Sequence, residues 1–230
     1  MTDPAPAASS LLIAAAPPAW GRIQVAFKRA LDLIVALLAL ITLAPVMLAL
    51  GLAIRLDSPG PALFKQQRVG KGGQLFTTIK FRTMFLGADD RSHREALRKL
   101  AAGEPVSIVN GRPAFKPPGD LRVTRIGRFL RATGLDELPQ AINVLRGEMS
   151  VVGPRPAIPY ELELFKDWHY RRFAVRPGIT GLWQIRRRAT TNLDDVIRQD
   201  LEYIDSFSPW LDVRIILVTI PKIVFRAWSF

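Results

Sequence analysis

The stretch RVTRIGRFLRATGLDELPQAINVLRGEMSVVGPRP, residues 122–156, decides the fold of this chain. It carries the adjacent carboxylates Asp136 and Glu137 and the segment Gly153-Pro154-Arg155-Pro156. Four arginines precede the carboxylates in a short run: Arg122, Arg125, Arg128 and Arg131. Because proline is tolerated in the first turn of a helix but not deeper, Pro139 predicts a helix that starts near Asp136 and runs towards Arg146. Both carboxylates then lie at a helix N-terminus, where backbone N–H groups favour anions.

This combination of side chains indicates a site for a phosphorylated substrate. Guanidinium groups bind phosphate oxygens in a bidentate manner, and a neighbouring carboxylate can attack phosphorus or bind a divalent cation. A second interpretation stays open, because Thr133-Gly134-Leu135-Asp136 also fits a capping box, and Asp136 alone can simply be an N-cap.

A block without any charged residue extends from Leu33 to Ile54. As a helix with a rise of ~1.5 Å per residue it is about 33 Å long, enough to cross a bilayer core. A spanning helix is therefore one interpretation. Basic residues flank both ends, however, whereas spanning helices usually show an asymmetry of charge, and Pro45 can bend the helix. We therefore predict a membrane re-entrant helix over residues 25–57, after a disordered Ala/Pro-rich tail at 1–24.

For the rest of the chain the sequence predicts short strands, helices and loops. Two β-like runs, Phe64–Gly70 and Leu75–Phe81, are separated by a Gly-rich turn and predict a hairpin. We expect helices over residues 87–102, 161–173 and 193–207, and a loop over 103–120. Asp32 is expected to pair with Lys28 and Arg29, one turn away. The apolar and basic segment 211–230 fits either an interfacial helix or packing against the core.

Composition limits the classes of function. The chain has 230 residues, a formal net charge of +12 and a sequence pI of about 10.8, which favours a polyanionic partner or an anionic membrane surface. Nucleic acid is the weaker reading, because no zinc-finger or RNA-binding signature accompanies the charge. There are no cysteines and only two histidines, His93 and His169. A histidine-based triad or multi-histidine metal site is therefore improbable, and we expect both histidines at surface or structural positions.

Five motifs occur in an order typical of one family. They are Lys80-Phe81-Arg82-Thr83-Met84, Thr124-Arg125-Ile126-Gly127, Leu135-Asp136-Glu137-Leu138-Pro139-Gln140, Gly153-Pro154-Arg155-Pro156 and Arg176-Pro177-Gly178-Ile179-Thr180-Gly181-Leu182-Trp183-Gln184. With them the sequence resembles the bacterial sugar transferases, monotopic polyprenyl-phosphate phosphoglycosyl transferases, over roughly residues 25–220.

The resemblance implies an α+β, mostly helical fold. A membrane-embedded re-entrant helix is expected to join a small cytoplasmic catalytic domain, residues 58–230, that has a short β-hairpin and interfacial amphipathic helices. It also implies residence in the bacterial inner (cytoplasmic) membrane, with the catalytic domain on the cytoplasmic face.

The implied reaction transfers a sugar-1-phosphate from a UDP-sugar to a polyprenyl (undecaprenyl) phosphate and releases UMP, at the start of exopolysaccharide or glycoconjugate synthesis. UDP-galactose or UDP-glucose is the expected donor. Asp136 is implied as the nucleophile of a covalent aspartyl intermediate, and Glu137 as a ligand of Mg²⁺. The basic residues implied as substrate-binding are Lys80, Arg82, Arg131, Arg155 and, weakly, Arg188.

Three alternatives remain at this stage. Lys80 and Arg82 can instead be the solvated charged end of a strand. The chain can also act as a non-catalytic, basic membrane-anchored adaptor of a polysaccharide assembly complex. Homo-oligomer formation is left open as well.

Overall fold

Two consecutive helices, α1 (Arg22–Thr42) and α2 (Ala44–Asp57), begin the part of the chain that the computed structural model describes, which comprises residues 20–104, 107–109, 112–114, 120–186 and 192–224. The two helices meet at Leu43 at an angle of 62°. Pro45 lies in the first turn of α2, and its ring and missing N–H prevent α1 from continuing as one straight helix. The predicted bend is thus confirmed. In the described ranges no single helix has the length and hydropathy to cross a bilayer, although this bent pair does so jointly.

The predicted hairpin is confirmed. Strands β1 (Leu63–Val69) and β2 (Leu75–Phe81) pair antiparallel, with Phe64 opposite Lys80. The turn between them is the 3₁₀ segment Lys71–Gly73, in which Gly72 has a φ of 64° that side chains other than glycine rarely adopt. The end of β2, with Lys80, lies against the segment Leu135–Gln140 of the central stretch.

Two predictions for the irregular parts of the chain need correction. The segment 103–120, expected as a loop, contains the short antiparallel strands β3 (Ser107–Val109) and β4 (Arg112–Ala114) after helix α3 (Arg91–Ala101). The segment 161–173, expected as an α-helix, is two 3₁₀ helices, Pro159–Leu164 and Asp167–Ala174. Phe165 and Lys166 between them adopt extended backbone angles, which interrupt the helical hydrogen bonds.

The remaining elements surround one main core. They are the helices α4 (Arg125–Thr133), α5 (Ala141–Arg146), α6 (Leu182–Arg186), α7 (Leu193–Asp205) and α8 (Pro209–Val224), and the parallel strands β5 (Ser150–Val152) and β6 (Gly178–Thr180). Helix α1 contributes Ala36 to this core, which also contains Val152 and Ile215. Helix α1 is therefore packed against the main core of the protein.

A buried polar network replaces the ion pair predicted on α1. The Lys28 ammonium lies 2.7 Å from the Asp212 carboxylate and also donates to the Tyr203 hydroxyl and the Val152 carbonyl. Asp32 accepts hydrogen bonds from the Ser150 hydroxyl and the Val151 N–H, both at 2.9 Å. The prediction that Asp32 pairs with Lys28 and Arg29 was wrong, because buried long-range partners displace an exposed pair one turn away.

Helix α8 packs against the core, which is one of the two roles considered for the C-terminal segment; the interfacial role stays a prediction. Ile215 and Thr219 are buried against the core, and the Thr219 hydroxyl lies 3.0 Å from the Thr180 hydroxyl. Trp210, Leu217 and Ile220 on the same helix are exposed. Three predictions lie wholly or mostly outside the described residues: the tail at 1–24, of which only 20–24 are described, Arg188, and the end of the chain at 225–230.

Candidate active site

Asp136 and Glu137 occupy the first turn of the 3₁₀ helix Leu135–Gln140, which continues directly into α5. Gly134 ends α4 and starts this helix, with a φ of 73°. The Thr133 hydroxyl, which a capping box would need, donates back to the carbonyls of Phe129 and Leu130. Thr133 is still part of α4, and the N-cap of the 3₁₀ helix is Gly134, so the capping-box interpretation was wrong and Asp136 lies inside the first turn.

Lys80, at the end of β2, lies against Glu137. Its Nζ is 2.7 Å from the Glu137 Oε1, and the two side chains are 22% and 30% exposed. Burial disfavours the ionised form of Glu137, but the charges of Lys80, Arg155 and Arg68 outweigh it and hold the pKa of the carboxyl below its usual value. Glu137 is therefore an anion at neutral pH.

Arg131 approaches the carboxylates from α4. Its Nε donates to the Thr83 hydroxyl at 2.9 Å. Burial lowers the pKa of the Arg131 guanidinium, and the negative charge of Asp136 opposes that change. Arg131 and Asp136 are thus electrostatic neighbours.

Gly127 explains how α4 reaches this position. A Cβ at Gly127 would lie 2.1 Å from the Thr83 carbonyl oxygen, so only glycine permits the contact. The Thr124 hydroxyl caps the helix by accepting from the Gly127 N–H, and the Thr124 N–H donates to the same Thr83 carbonyl. The end of β2 and the start of α4 are thereby joined.

The Gly153–Pro156 segment supplies Arg155, whose charge acts on Glu137. A Cβ at Gly178 would lie 2.1 Å from the Gly153 nitrogen, so glycines bring this motif and the Arg176–Gln184 motif into direct backbone contact. Arg155 pairs with the buried Glu161, Nη1 to Oε1, at 3.2 Å. Burial opposes the ionised form of Glu161, but Arg155 and Arg68 keep its pKa below the usual value.

Arg68 on β1 was missed by the sequence analysis. It is 6% exposed, and burial together with the charge of Arg155 lowers its pKa to about 10. Its Nη1 donates to the Pro156 carbonyl, 88 residues away in the sequence. A single arginine among the polar residues of a strand carries no local signal for such a partner, so only the tertiary fold reveals it.

The neighbours of Arg82 differ from those of the other basic residues that were predicted to bind substrate. Its guanidinium is buried and donates to the Ser58 hydroxyl, the Ser58 carbonyl and the Pro61 carbonyl at 2.7–2.8 Å. These bonds join the end of β2 to the turn after α2. Asp57, the last residue of α2, accepts from the Ile126 N–H of α4. The carboxylate pair is thereby fixed relative to the end of the bent helix pair.

The other three arginines of the central run have different surroundings from Arg131. Arg122 pairs with Asp120 at 2.7 Å, while Arg125 and Arg128 are exposed on α4. The structure therefore brings together Asp136, Glu137, Lys80, Arg131 and Arg155, and adds Arg68 and Glu161.

A divalent cation can be held here only with help from a ligand. No group of three or more His, Asp and Glu side chains converges in the described ranges. Mg²⁺ usually binds proteins through one or two carboxylates and completes its shell with phosphate oxygens and water. Glu137, an ionised and partly exposed carboxylate, fits such a shared site beside a diphosphate.

Comparison with known proteins identifies the family. The sequence matches the family described as "Bacterial sugar transferase" over residues 23–226. It is 39% identical over 199 residues to "Undecaprenyl-phosphate galactose phosphotransferase" of Salmonella typhimurium, covering 86% of this chain and 40% of that protein. It is 41% identical over 205 residues to "UDP-glucose:undecaprenyl-phosphate glucose-1-phosphate transferase" of Caulobacter vibrioides, covering 86% and 69%.

A third relative is of similar size. "Exopolysaccharide production protein ExoY" of Sinorhizobium fredii is 36% identical over 203 residues, with 88% of each chain covered. The chain thus spans about two fifths of the length of the Salmonella protein and most of the length of the Sinorhizobium protein. With the family matched over nearly its whole length, the chain belongs to the bacterial sugar transferases.

Proposed function

We propose that this chain transfers a sugar-1-phosphate from a UDP-sugar, UDP-galactose or UDP-glucose, to undecaprenyl phosphate and releases UMP. The observation that carries the proposal is the carboxylate pair Asp136–Glu137 at a helix start, with Lys80, Arg131 and Arg155 around it. Relatives named as galactose and glucose phosphotransferases of undecaprenyl phosphate support the same reaction. The product would start the assembly of an exopolysaccharide or glycoconjugate.

The proposed chemistry is a double displacement at phosphorus. An Asp136 carboxylate oxygen attacks the β-phosphorus of the UDP-sugar, the bond from that phosphorus to the bridging oxygen breaks, and UMP leaves with that oxygen. An oxygen of the lipid phosphate then attacks the same phosphorus and displaces the Asp136 carboxylate. The positive charges of Lys80, Arg131 and Arg155 reduce the repulsion between the Asp136 carboxylate and the diphosphate. A covalent intermediate lets the soluble product leave before the lipid reacts.

Mg²⁺ is proposed as the cofactor, with Glu137 as its protein ligand. When bound, the cation would neutralise charge on the diphosphate oxygens. Lys80 already neutralises Glu137, so the lysine is the residue that would turn towards phosphate once a cation takes its place at the carboxylate.

Membrane residence of the bent helix pair is part of the proposal. Many large apolar side chains are exposed on both helices, and such a concentration of exposed apolar residues is uncommon on a protein surrounded by water. The most exposed are Ile23 (87%), Leu56 (80%), Leu48 (76%), Ile41 (64%) and Leu52 (61%). We propose that the pair enters and leaves the inner membrane from the cytoplasmic face, which keeps the active site at the depth of the lipid phosphate.

The test is UMP release by the purified, detergent-solubilised protein with a panel of UDP-sugars. We expect release with UDP-galactose or UDP-glucose and, without lipid acceptor, a sugar phosphate bound to the protein. Asp136→Asn should lose both the adduct and turnover. Asp205→Asn, a carboxylate change at an exposed residue of α7, is the matched control and should retain them.

Two results would contradict parts of the proposal. Intersecting initial-rate plots without a trapped adduct would leave Asp136 as a general base in a ternary complex. Absence of UMP release with every UDP-sugar, while the protein still binds membranes, would favour the non-catalytic adaptor.

A further inference from the structure

The backbone at Arg155 is held by an unusually complete set of hydrogen bonds. Four consecutive carbonyls, from Pro154 to Ala157, each accept one bond. Two of the donors are backbone N–H groups, that of Gly178 to Pro154 and that of Val69 to Ala157, both at 2.8 Å. The other two are buried arginine side chains: Arg172 Nη2 donates to the Arg155 carbonyl at 2.7 Å, and Arg68 Nη1 to the Pro156 carbonyl at 2.9 Å.

Arg172 is itself fixed by a carboxylate from another element. It lies in the 3₁₀ helix Asp167–Ala174, and its Nη2 is 2.6 Å from the Asp200 Oδ2 of α7. The two side chains are 4% and 1% exposed, so the pair is shielded from water. A buried ion pair is a costly way to gain stability, since apolar residues of the same volume often do as well. Its contact with the Arg155 carbonyl suggests another purpose.

We propose that Arg172 and Asp200 are positioning residues for the sugar-phosphate transfer. The Asp200 charge holds the Arg172 guanidinium against the Arg155 carbonyl, and this contact fixes the peptide from which the Arg155 side chain extends towards Glu161 and the phosphate site. The inference rests on the proposed function, because Arg155 is the residue that this pair would orient towards substrate. Neither Arg172 nor Asp200 needs to contact the substrate.

The key variant is Asp200→Asn, which preserves size and removes charge. We expect KM for the UDP-sugar to rise about tenfold, with a smaller change in kcat, because a misdirected arginine weakens diphosphate binding. Asp194→Asn is the matched control: it lies on the same helix and pairs with His169 of the same 3₁₀ segment, but not with Arg172. It should leave KM unchanged.

A readout without turnover separates this inference from the proposed function. In hydrogen exchange by mass spectrometry, Asp200→Asn should speed exchange in peptides covering residues 153–157 and leave those of α4 unchanged. Arg172→Lys, which retains the charge but not the planar fork, is the second variant if Asp200→Asn does not fold, and should give the same local pattern.

The outcomes are distinct. Local loosening in a protein whose wild type releases no UMP would reject the proposed function and retain the positioning of the segment. Unchanged KM and unchanged exchange in an active protein would overturn the positioning role. Uniform loosening of all peptides would also overturn it, because the pair would then contribute only general stability.

Discussion

The Lys80 ammonium and the Glu137 carboxylate form an ion pair of 2.7 Å in which both side chains retain contact with solvent, at 22% and 30% exposure. Because both charges can be reached from solvent, a phosphate can replace the carboxylate beside Lys80, and a divalent cation can replace the ammonium beside Glu137. The pair is therefore suited to the resting state of a site that later accepts both kinds of charge.

Replacing Lys80 by Gln tests the cationic half of this pair. We expect kcat/KM for the UDP-sugar to fall by about tenfold to a hundredfold, because a charge-assisted contact to phosphate is lost. Steady-state UMP release measures this. Lys99→Gln, at an exposed position of α3, is the control and should behave as wild type. Equal activity of the two variants would show that Lys80 serves only to neutralise Glu137.

Replacing Glu137 by Gln tests the anionic half. The change keeps the shape and removes the charge, so we expect activity to fall by about a hundredfold or more and stimulation by Mg²⁺ to weaken. The measurement is a Mg²⁺ titration of UMP release, with Glu95→Gln on α3 as the control. Full wild-type activity in EDTA would contradict the assigned metal role.

Replacing Gly127 by Ala tests how α4 is placed against β2. The new Cβ would meet the Thr83 carbonyl oxygen at 2.1 Å, and we expect a loss of about 1–3 kcal/mol in the free energy of unfolding, with lower activity through the displaced Arg131. Gly51→Ala on α2 is the control. Its Cβ would have an ordinary contact of 3.9 Å to Ala62, so the substitution should leave the melting temperature unchanged or raise it slightly. Equal melting temperatures for Gly127→Ala and wild type would show that the backbone contact can relax.

Asp200 predicts a characteristic dependence of stability on pH. Burial raises its pKa to about 6, although the charges of Arg172 and Arg155 oppose this, whereas the unfolded value is 3.8. Between these values the folded protein binds the proton more strongly than the unfolded one. The contribution of Asp200 to stability therefore rises as pH falls from about 6 towards 4.

Melting temperatures in detergent across this interval measure the effect. The difference between wild type and Asp200→Asn should change in favour of wild type at the acidic end. A difference that is constant with pH would show that Asp200 has an ordinary pKa in the folded protein.

The topology of the bent helix pair can be determined by labelling, because the chain has no cysteine of its own. Single cysteines at Ser10 and at Lys71, before and after the pair, should both react with an impermeant reagent only from the cytoplasmic side. Pro45→Leu should straighten the break and direct some molecules to a spanning form. Reaction of the Ser10 cysteine from the periplasmic side would reject the re-entrant arrangement.

The features that the sequence predicted correctly are those with local causes. Pro45 bends a helix through its own ring, and a Gly-rich turn between two β-like runs forms a hairpin whatever the fold of the rest of the chain. Glu161 and Asp200 act through partners on other elements, so no local pattern distinguishes them from ordinary surface carboxylates. Motif membership places Arg82 near the site in the chain but does not tell which way its side chain points, and the fold directs it to Ser58.

The buried contact between Lys28 and Asp212 also bears on how the protein is made. The two residues are 184 positions apart, so a ribosome adds 184 residues after the lysine before that lysine can meet its counter-charge. Until then α1 carries an ammonium and the Asp32 carboxylate on one edge, and that edge has to remain hydrated or at the lipid headgroups. The packing of α1 against the core is therefore complete only after α8 has been synthesised, and a nascent chain that stops before α8 leaves Lys28 without the Asp212 carboxylate.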